Sequence, residues 1–283
     1  MKKQLLTAMA IALALPTAAF AEGTSPWLPI PGEMSFTLNY SEQSGDDTYI
    51  ADTEIPLSTI TGGGASKYER STTTLILSYG ISDALALDAS IGYGDVEIGN
   101  ADNDNGITDA VIGLSWRITD EYFNDFLPTI TLRSAAIING NYDGARLASL
   151  GNDENGYEVS ILAGKQLTNA ISVSAEIGHQ NRSGDVPDAH FYHLGANYRL
   201  TDKWGVSLGY SVKDYSGNLD LNDPEFTPDR FQEVNAEREL VKFGIGYAIS
   251  SNQGISFNFA TVLDGRNTVK DDNIFGVSYT FSL

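Results

Sequence analysis

Apolar and polar residues alternate along most of this chain with a period of two. In the last such segment, Phe275, Val277 and Tyr279 alternate with Gly276 and Ser278. This period places each set of side chains on its own face of a β-sheet. Twelve segments follow the pattern, and we expect strands to begin near Glu33, Lys67, Leu85, Gly106, Leu127, Glu154, Ile171, Ala189, Trp204, Glu237, Ile255 and Asp272.

The N-terminus has the composition of an export signal. Two lysines precede an apolar run over residues 5–15, and residues 19–21 form a small-x-small cleavage sequence. The run is too short for a membrane-spanning helix, and no later segment approaches 18 consecutive apolar residues. We therefore expect a signal peptide over 1–21, an extended N-terminal segment over 22–32 and a β-domain over 33–283. An exported chain of this kind can enter a membrane only as a closed β-barrel.

The connections between the expected strands alternate between short and long. The short ones are rich in Asp, Asn, Ser and Gly and lie at 82–83, 168–170, 201–203 and 250–254, with a longer member at 119–126. The long ones lie at 41–66, 99–105, 139–153, 183–188, 216–236 and 265–271. Outer-membrane barrels have this arrangement. The sequence predicts an all-β fold, a closed antiparallel transmembrane β-barrel of about 12 strands, with short periplasmic turns and long extracellular loops.

The two faces of the strands support a barrel over a β-sandwich. A sandwich would expose its polar face to water, and that face is usually rich in charged residues, whereas here it is mostly Gly, Ser, Thr, Asn and Ala. The apolar face carries aromatic residues at both strand ends, as two membrane interfaces favour. Those beside the short turns are Tyr79, Trp116, Tyr198, Trp204, Tyr247 and Tyr279, and those beside the long loops are Tyr40, Tyr93, Tyr157, Tyr192 and Tyr210.

The composition excludes several classes of function. The 283 residues include 17 Lys or Arg against 37 Asp or Glu, three His and no Cys. Without Cys there is no disulfide, thiol nucleophile or Cys-ligated zinc, and three His are too few for a histidine-rich metal centre. The net charge of −20 argues against nucleic acid as a partner. We predict no cofactor and no resident metal.

Strand parity turns a set of charged side chains and one imidazole toward the barrel interior. Six are basic and four are acidic, so they either pair with one another across a narrow interior or line an anion-tolerant path, and we favour pairing. The expected interior set is Asp88, Asp109, Arg117, Arg133, Glu158, Glu176, Arg182, His193, Arg199, Lys213 and Lys242. Lys165 and His179 have outward parity near strand ends, so each should either reach a membrane interface or mark a β-bulge.

Enzymatic and calcium sites are not supported by the residue spacing. A serine hydrolase needs a Ser beside a His base, and we expect no Ser at the level of His193, which shares its face with Asn197. Residues 100–106 lack the spacing of a calcium loop. The acidic loops could still share divalent cations with anionic lipid headgroups, through Asp46, Asp47, Asp52, Glu54, Asp102, Asp104, Asp220, Asp223 and Glu225.

Three stretches carry a family resemblance: residues 27–33 (WLPIPGE), 77–83 (LSYGISD) and 106–114 (GITDAVIGL). They resemble outer-membrane β-barrel proteins grouped under the meta-pathway of phenol degradation, which are similar in plan to hydrophobic-substrate outer-membrane transporters. The resemblance spans most of the exported chain and implies association with a pathway rather than a reaction. In that family a proline and glycine often follow the fifth strand, where this chain has residues 139–142 (NGNY).

These observations predict a function without catalysis. Twelve strands lie between the eight that side chains can fill and the sixteen that leave a wide channel. We expect an outer-membrane channel or transporter that passively admits small, hydrophobic or aromatic molecules, with outer-membrane lipid and a small-molecule solute as partners. The alternative is a non-transporting structural or surface-interaction barrel whose loops bind a partner.

Overall fold

A computed structural model describes residues 25–123, 126–144, 146 and 148–283 of the chain. The expected signal peptide lies outside the described residues. A four-residue helix α1 (Leu57–Ile60) and a 3-10 helix (Pro228–Glu233) accompany the strands, and no helix in the described ranges has the length and hydropathy to cross a membrane. The strands are β1 (Met34–Gly45), β2 (Asp47–Ile50), β3 (Thr53–Pro56), β4 (Tyr68–Ser82), β5 (Leu85–Ile98), β6 (Asp102–Ile107), β7 (Ala110–Thr119), β8 (Thr129–Ile138), β9 (Gly156–Gln166), β10 (Ile171–Arg182), β11 (Ala189–Arg199), β12 (Trp204–Tyr215), β13 (Glu237–Ser250), β14 (Gln253–Arg266), β15 (Val269–Lys270) and β16 (Asn273–Ser282).

The sheet closes on itself as a 12-stranded antiparallel barrel, which confirms the predicted fold class. Consecutive strands from β4 to β14 pair with one another, except that β5 pairs with both β6 and β7. Strand β14 pairs with β16, and β1 lies between β16 and β4. In the closing pair, Phe36 lies opposite Phe281 and Tyr40 opposite Val277. The short strand β6 continues β7, because β5 pairs first with β7 and then with β6. A closed sheet leaves no unpaired edge, which is what a spanning sheet requires.

Several expected loops contain further strand structure. The connection expected at 99–105 is largely strand β6, which pairs with the extracellular end of β5 through Asp95 and Asn105 and through Glu97 and Asn103. The connection expected at 41–66 contains the end of β1, strands β2 and β3 and helix α1. Polar side chains do not end a strand when the backbone of its neighbour continues to supply hydrogen bonds, so pairing extends beyond the apolar belt.

The apolar face points outward around the barrel. Leu114 and Phe243, which a sandwich would bury, are 46% and 47% exposed. Aromatic residues of the two predicted levels also lie on the outer surface, including Trp116 at 52% and Tyr93 at 55% exposed. A continuous apolar exterior is stable only against lipid, because this much exposed apolar surface is unfavourable in water.

Candidate functional site in the barrel interior

One wall of the interior, formed by β14, β16, β1 and β4, carries neutral polar side chains. Thr37 and Thr280 share a hydrogen bond of 2.8 Å, and Ser278 donates to Asn39 Oδ1 at 2.9 Å. These side chains are buried against one another across neighbouring strands. Small hydroxyl and amide groups therefore line this wall around Thr37 and Asn39, and Arg70 lies nearer the extracellular end of β4.

The opposite wall contains a three-residue charge network centred on Arg133 of β8. Its guanidinium donates to both carboxylate oxygens of Asp88 on β5, at 3.1 and 2.6 Å, and to Glu158 on β9. Arg133 is only 6% exposed. Gly113 of β7 lies between Asp88 and Arg133, and a Cβ there would fall 2.6 Å from the carboxylate, so the small residue makes room for the pair to meet. One arginine contacts two carboxylates here, so the three side chains together have a formal net charge of −1.

A second network lies where β6 gives way to β7. Arg182 binds Asp109 Oδ2 at 2.6 Å and donates to the carbonyl of Glu154 at 2.8 Å. The hydroxyl of Tyr142 donates to the other carboxylate oxygen of Asp109. Burial and this hydrogen bond raise the pKa of Tyr142, so the tyrosine stays protonated as a donor. The segment 139–142, which departs from the family pattern, therefore fills the gap between β6 and β7.

Two of the expected interior arginines lie at the periplasmic turns. Arg117 donates to the carbonyl of Asp83 and pairs with Asp120 at 3.1 Å, and Arg199 donates to the carbonyl of Asn169. Each side chain therefore caps the neighbouring turn. Their contacts fit a role in holding the periplasmic rim.

Glu176, His193 and Ser211 lie directly across from one another on β10, β11 and β12. The expectation that no Ser lies level with His193 is therefore wrong, because the register of β12 could not be read from the sequence. Glu176 accepts a hydrogen bond from Ser160 at 2.7 Å, and the buried hydroxyl of Ser211 makes no hydrogen bond within the described structure. A serine nucleophile requires a hydrogen bond to its base, and that bond is missing here.

The two expected interior lysines lie on β12 and β13. Lys213 Nζ is 5.2 Å from the centroid of the Tyr215 ring, a cation–π distance. The stem of Lys242 passes close to Gly209 on the neighbouring strand. Both residues lie on strands away from those of the Arg133 network.

The two basic residues with outward parity reach polar partners at the strand ends. Lys165 Nζ donates to the carbonyl of Leu127 at 3.1 Å and lies 3.6 Å from Glu121. His179 Nε2 lies 3.5 Å from Asp188, and its ring is 5.0 Å from that of His190. Both contacts place the polar group beyond the apolar belt, as expected for a side chain that leaves lipid for an interface.

The N-terminal segment enters the periplasmic end of the barrel. Pro26 is fully buried, and its carbonyl accepts a hydrogen bond of 2.8 Å from Thr131 of β8. Trp27 Nε1 donates to Glu121 at 2.9 Å. A Cβ on Gly164 of β9 would fall 2.5 Å from the ring of Pro26, so only glycine leaves space for the segment there. From this wall the chain crosses to β4, where the backbone of Gly32 bonds to Gly80.

Two apolar clusters occupy the extracellular end of the interior. The first joins β4 and β5 to loop residues and comprises Leu57, Ala65, Tyr68, Val96, Ile98, Tyr142, Ala148 and Leu150. The second joins β13, β14 and β16 to the first loop and comprises Tyr49, Leu240, Ala260, Val262 and Ile274. Loop side chains thus pack against inward-facing strand residues, and the extracellular end has its own small core.

Asn267 ties three extracellular loops together. Its amide donates to Asp220 and to the carbonyl of Asn235, both at 2.7 Å, and its carbonyl oxygen accepts from the backbone of Ala51 at 2.7 Å. Arg266 adds a bidentate contact to Asp220 at 3.0 and 2.6 Å. Burial opposes ionisation of Asp220, but these donors outweigh it and hold the pKa of Asp220 below its usual value. Hydrogen bonds from Asn267 and the Arg266–Asp220 ion pair therefore connect the three extracellular loops.

The acidic loop residues mostly contact protein donors. Asp102 pairs with Arg146 and accepts from the backbone of Ala148 at 3.1 Å. Lys270 binds Glu54 at 2.7 Å. Among the described residues, no group of three or more His, Asp or Glu could hold a metal ion. Sharing of divalent cations with lipid headgroups stays a prediction.

The sequence reasoning missed five residues that organise the two ends of the barrel. Arg70 has the same parity as Thr74, and Arg238 has the parity of Lys242, so strand parity could have found both. Asp271, Trp27 and Glu121 lie outside the barrel strands, where the period of two carries no information. At the periplasmic end Trp27 donates to Glu121. At the extracellular end Arg238 donates to Asp271, and Arg70 donates to the carbonyl of Leu150.

Comparison with known proteins agrees with this architecture. The family described as "Putative MetA-pathway of phenol degradation" matches residues 44–279, while a search of curated protein sequences finds no match. Among solved structures, the COG4313 outer membrane channel from Pseudomonas putida F1 has a TM-score of 0.73 at 13% identity, over 93% of this chain and 100% of that one. The NanC porin has a TM-score of 0.53 and the KdgM porin 0.51, each at 10% identity over 87% of this chain and 100% and 99% of theirs. At these identities the likeness establishes the fold.

Proposed function

This chain belongs to the family described by the MetA-pathway of phenol degradation, and on that premise we propose that it is an outer-membrane channel that passively admits small molecules. The observation that carries the proposal is the closed barrel itself, with an apolar outside and a polar inside. Such a barrel is stable in a bilayer and encloses the only polar route across it. The outer membrane is the proposed location, and lipid and a small solute are the proposed partners.

Small hydrophobic or aromatic molecules are the proposed solutes. The family description refers to phenol, an aromatic compound of low molecular weight. Apolar side chains form the extracellular end of the interior, and the partly buried Ile60 and Val269 at the edge of the first cluster would contact a solute that enters from outside. The neutral hydroxyl wall below them offers hydrogen bonds to a ring hydroxyl. A solute with an apolar ring and one polar group fits both environments.

Conductance measured on the purified, folded chain in planar bilayers tests the proposal. We expect small, discrete current steps in the wild type, and liposomes that contain the protein should admit phenol faster than empty liposomes. An Arg133→Gln variant, which changes the charge of the interior, should change the ion selectivity of the steps. A correctly folded barrel that passes neither ions nor solute would contradict the proposal.

A non-transporting surface barrel is the second candidate. The observation that favours it is the filling of both ends, by the N-terminal segment and by the apolar loop clusters. Replacement of the loop over 216–236 by a two-residue Asn-Gly turn separates the two candidates. A channel should keep or increase its conductance in this variant, whereas a surface-interaction barrel should lose partner binding and show no conductance before or after the replacement.

A further inference from the structure

The last extracellular loop, residues 267–272, folds back against the barrel. Strand β15 in this loop pairs with β2, and the carbonyl of Asp271 accepts a hydrogen bond of 3.0 Å from the backbone of Val262. These contacts bring Asp271 into the extracellular end of the interior, where it is only 3% exposed. A loop carboxylate this deeply buried requires a compensating positive charge.

Two arginines supply that charge from separate strands. Arg238 of β13 forms an ion pair with Asp271 Oδ2. Arg70 of β4 acts on the same carboxylate at longer range, and its guanidinium also donates to the carbonyl of Leu150 at 3.1 Å. Two guanidinium groups thus face a single carboxylate. These three side chains have a formal net charge of +1, with Asp272 nearby, whereas in the Arg133 network two carboxylates share one arginine.

Asp271 fits this pair of arginines incompletely. Among the described atoms, Oδ1 of Asp271 and the Nε atoms of Arg70 and Arg238 are buried and have no hydrogen-bond partner. Buried polar atoms are nearly always satisfied, and each one left without a bond is costly. Burial of the carboxylate outweighs the attraction of the two arginines and raises the pKa of Asp271. The site therefore has unbonded donors and positive charge, and the Asp271 carboxylate satisfies only part of the donors and offsets only part of the charge.

We propose that Arg70 and Arg238 form a subsite for the carboxylate group of a small anionic solute, and that Asp271 is an internal competitor for it. A carboxylate from solution can orient both oxygens toward the two guanidinium groups, as Arg–carboxylate pairs do. The loop carboxylate is tethered on both sides and leaves Oδ1 unbonded. The partly buried Val269 packs against the apolar cluster of Tyr68 and Leu57 and lies two residues before Asp271, so an aromatic ring attached to the carboxylate has an apolar contact beside the subsite.

The proposal rests on the proposed channel function and narrows its solute class to aromatic or other small carboxylates. Benzoate and phenol make a suitable pair of probes, because they share a ring and differ in charge at neutral pH. Their binding to the full mature chain folded in detergent can be measured by isothermal titration calorimetry, which does not require conduction. The variants are Asp271→Asn, Arg238→Gln and Arg70→Gln. Glu54→Gln is the matched control, because it removes the ion pair to Lys270 in the same loop assembly but leaves both arginines and Asp271 in place.

Removal of the competitor should strengthen benzoate binding. Asp271→Asn deletes a negative charge beside the subsite, and we expect the affinity for benzoate to rise about tenfold. Arg238→Gln and Arg70→Gln should each lower it by about tenfold, and the double variant should abolish measurable binding. Phenol affinity should stay within about twofold in every variant, as should benzoate affinity in Glu54→Gln. If one arginine variant fails to fold, the asparagine variant and the other arginine variant still decide the question.

The outcomes separate this site from the channel function. Benzoate binding that is unchanged or weaker in Asp271→Asn, or unchanged in the folded arginine variants, overturns the subsite even if the wild type conducts. Binding that follows the arginines in a barrel that never conducts supports the subsite and refutes the channel. Conductance in the wild type, together with benzoate binding that follows the predicted order, supports both.

Discussion

The N-terminal segment is expected to act as a latch on the periplasmic end of the barrel, and Trp27 is its most informative residue. The indole of Trp27 donates to Glu121 at 2.9 Å, while Glu121 also accepts from the backbone of Gln166 at 2.9 Å. Trp27→Phe removes one donor and keeps an aromatic ring against Gly164. Substitution of Glu121 would break several contacts at once, so the tryptophan variant is the cleaner perturbation.

The magnitude follows from the geometry of this hydrogen bond. The Glu121 side chain is 13% exposed, so solvent screens the contact only slightly. A hydrogen bond to a charged group contributes about 1.5–3 kcal/mol, and each 1.4 kcal/mol is a factor of about ten in an equilibrium. The ratio of unseated to seated segment should therefore rise by about ten- to a hundredfold in Trp27→Phe.

Single-channel recording in planar bilayers measures this ratio. If the seated segment obstructs the periplasmic end, the open fraction of Trp27→Phe should exceed that of the wild type, and deletion of residues 22–30 should leave the channel open throughout. Trp116→Phe is the matched control, because Trp116 faces outward and is 52% exposed. Circular dichroism and heat-modified migration on gels establish that each variant is folded.

Two results refute this reasoning. Equal open fractions in Trp27→Phe and Trp116→Phe would show that the hydrogen bond to Glu121 does not hold the segment. An unchanged open fraction after deletion of 22–30 would show that the segment does not obstruct the barrel at all, despite the burial of Pro26.

Three other predictions concern stability, pH and catalysis. Arg133→Gln leaves the partly exposed Asp88 and Glu158 without their cation and its hydrogen bonds, so chemical denaturation should show a loss of about 1.5–3 kcal/mol. Arg199→Gln, which loses contacts at a turn, should cost about 1 kcal/mol or less, and equal losses would contradict the assigned network. The pKa of Asp220 is lowered, so its contribution to the stability of the loop cluster is complete above the ordinary aspartate pKa and is lost as pH falls through the lowered value. The protection factors of backbone amides near Asn267 against hydrogen exchange should therefore fall below about pH 4. Protection factors that stay constant down to about pH 2 would refute this. The purified wild type and the Ser211→Ala variant should show the same background esterase activity. An activity that the wild type shows and the variant lacks would contradict the expectation that the chain is not an enzyme.

Much of the fold follows from the sequence because period-two alternation and barrel closure are local and geometric constraints. The starts expected near Leu85, Ile171, Ala189, Trp204 and Glu237 agree with the observed strands. Parity alone also places Arg133 and Glu158 on one face, where they meet. Each lipid-facing position must be apolar, so the membrane itself enforces the pattern that the sequence displays.

The contents of the two ends could not be derived in this way. The positions of Pro26 and Asp271 depend on loops and on a terminal segment, where no periodicity relates sequence to direction. The pairing of His193 with Ser211 depends on strand register, which the turn geometry sets and the alternation leaves open. Parity predicts which charged residues share a face, but which of them pair is decided by neighbours that are distant in sequence.

The central claim is that β7 and its neighbours form one closed wall, with lipid on one side and a polar interior on the other. The absence of native Cys permits spin labels at single introduced cysteines, so oxygen and nickel-complex accessibility can be measured along Val111 to Arg117 in liposomes. The account predicts that labels at Ile112, Leu114 and Trp116 are accessible to lipid-soluble oxygen and those at Val111 and Ser115 are not. Equal accessibility on both faces, or oxygen accessibility confined to Val111 and Ser115, would contradict it.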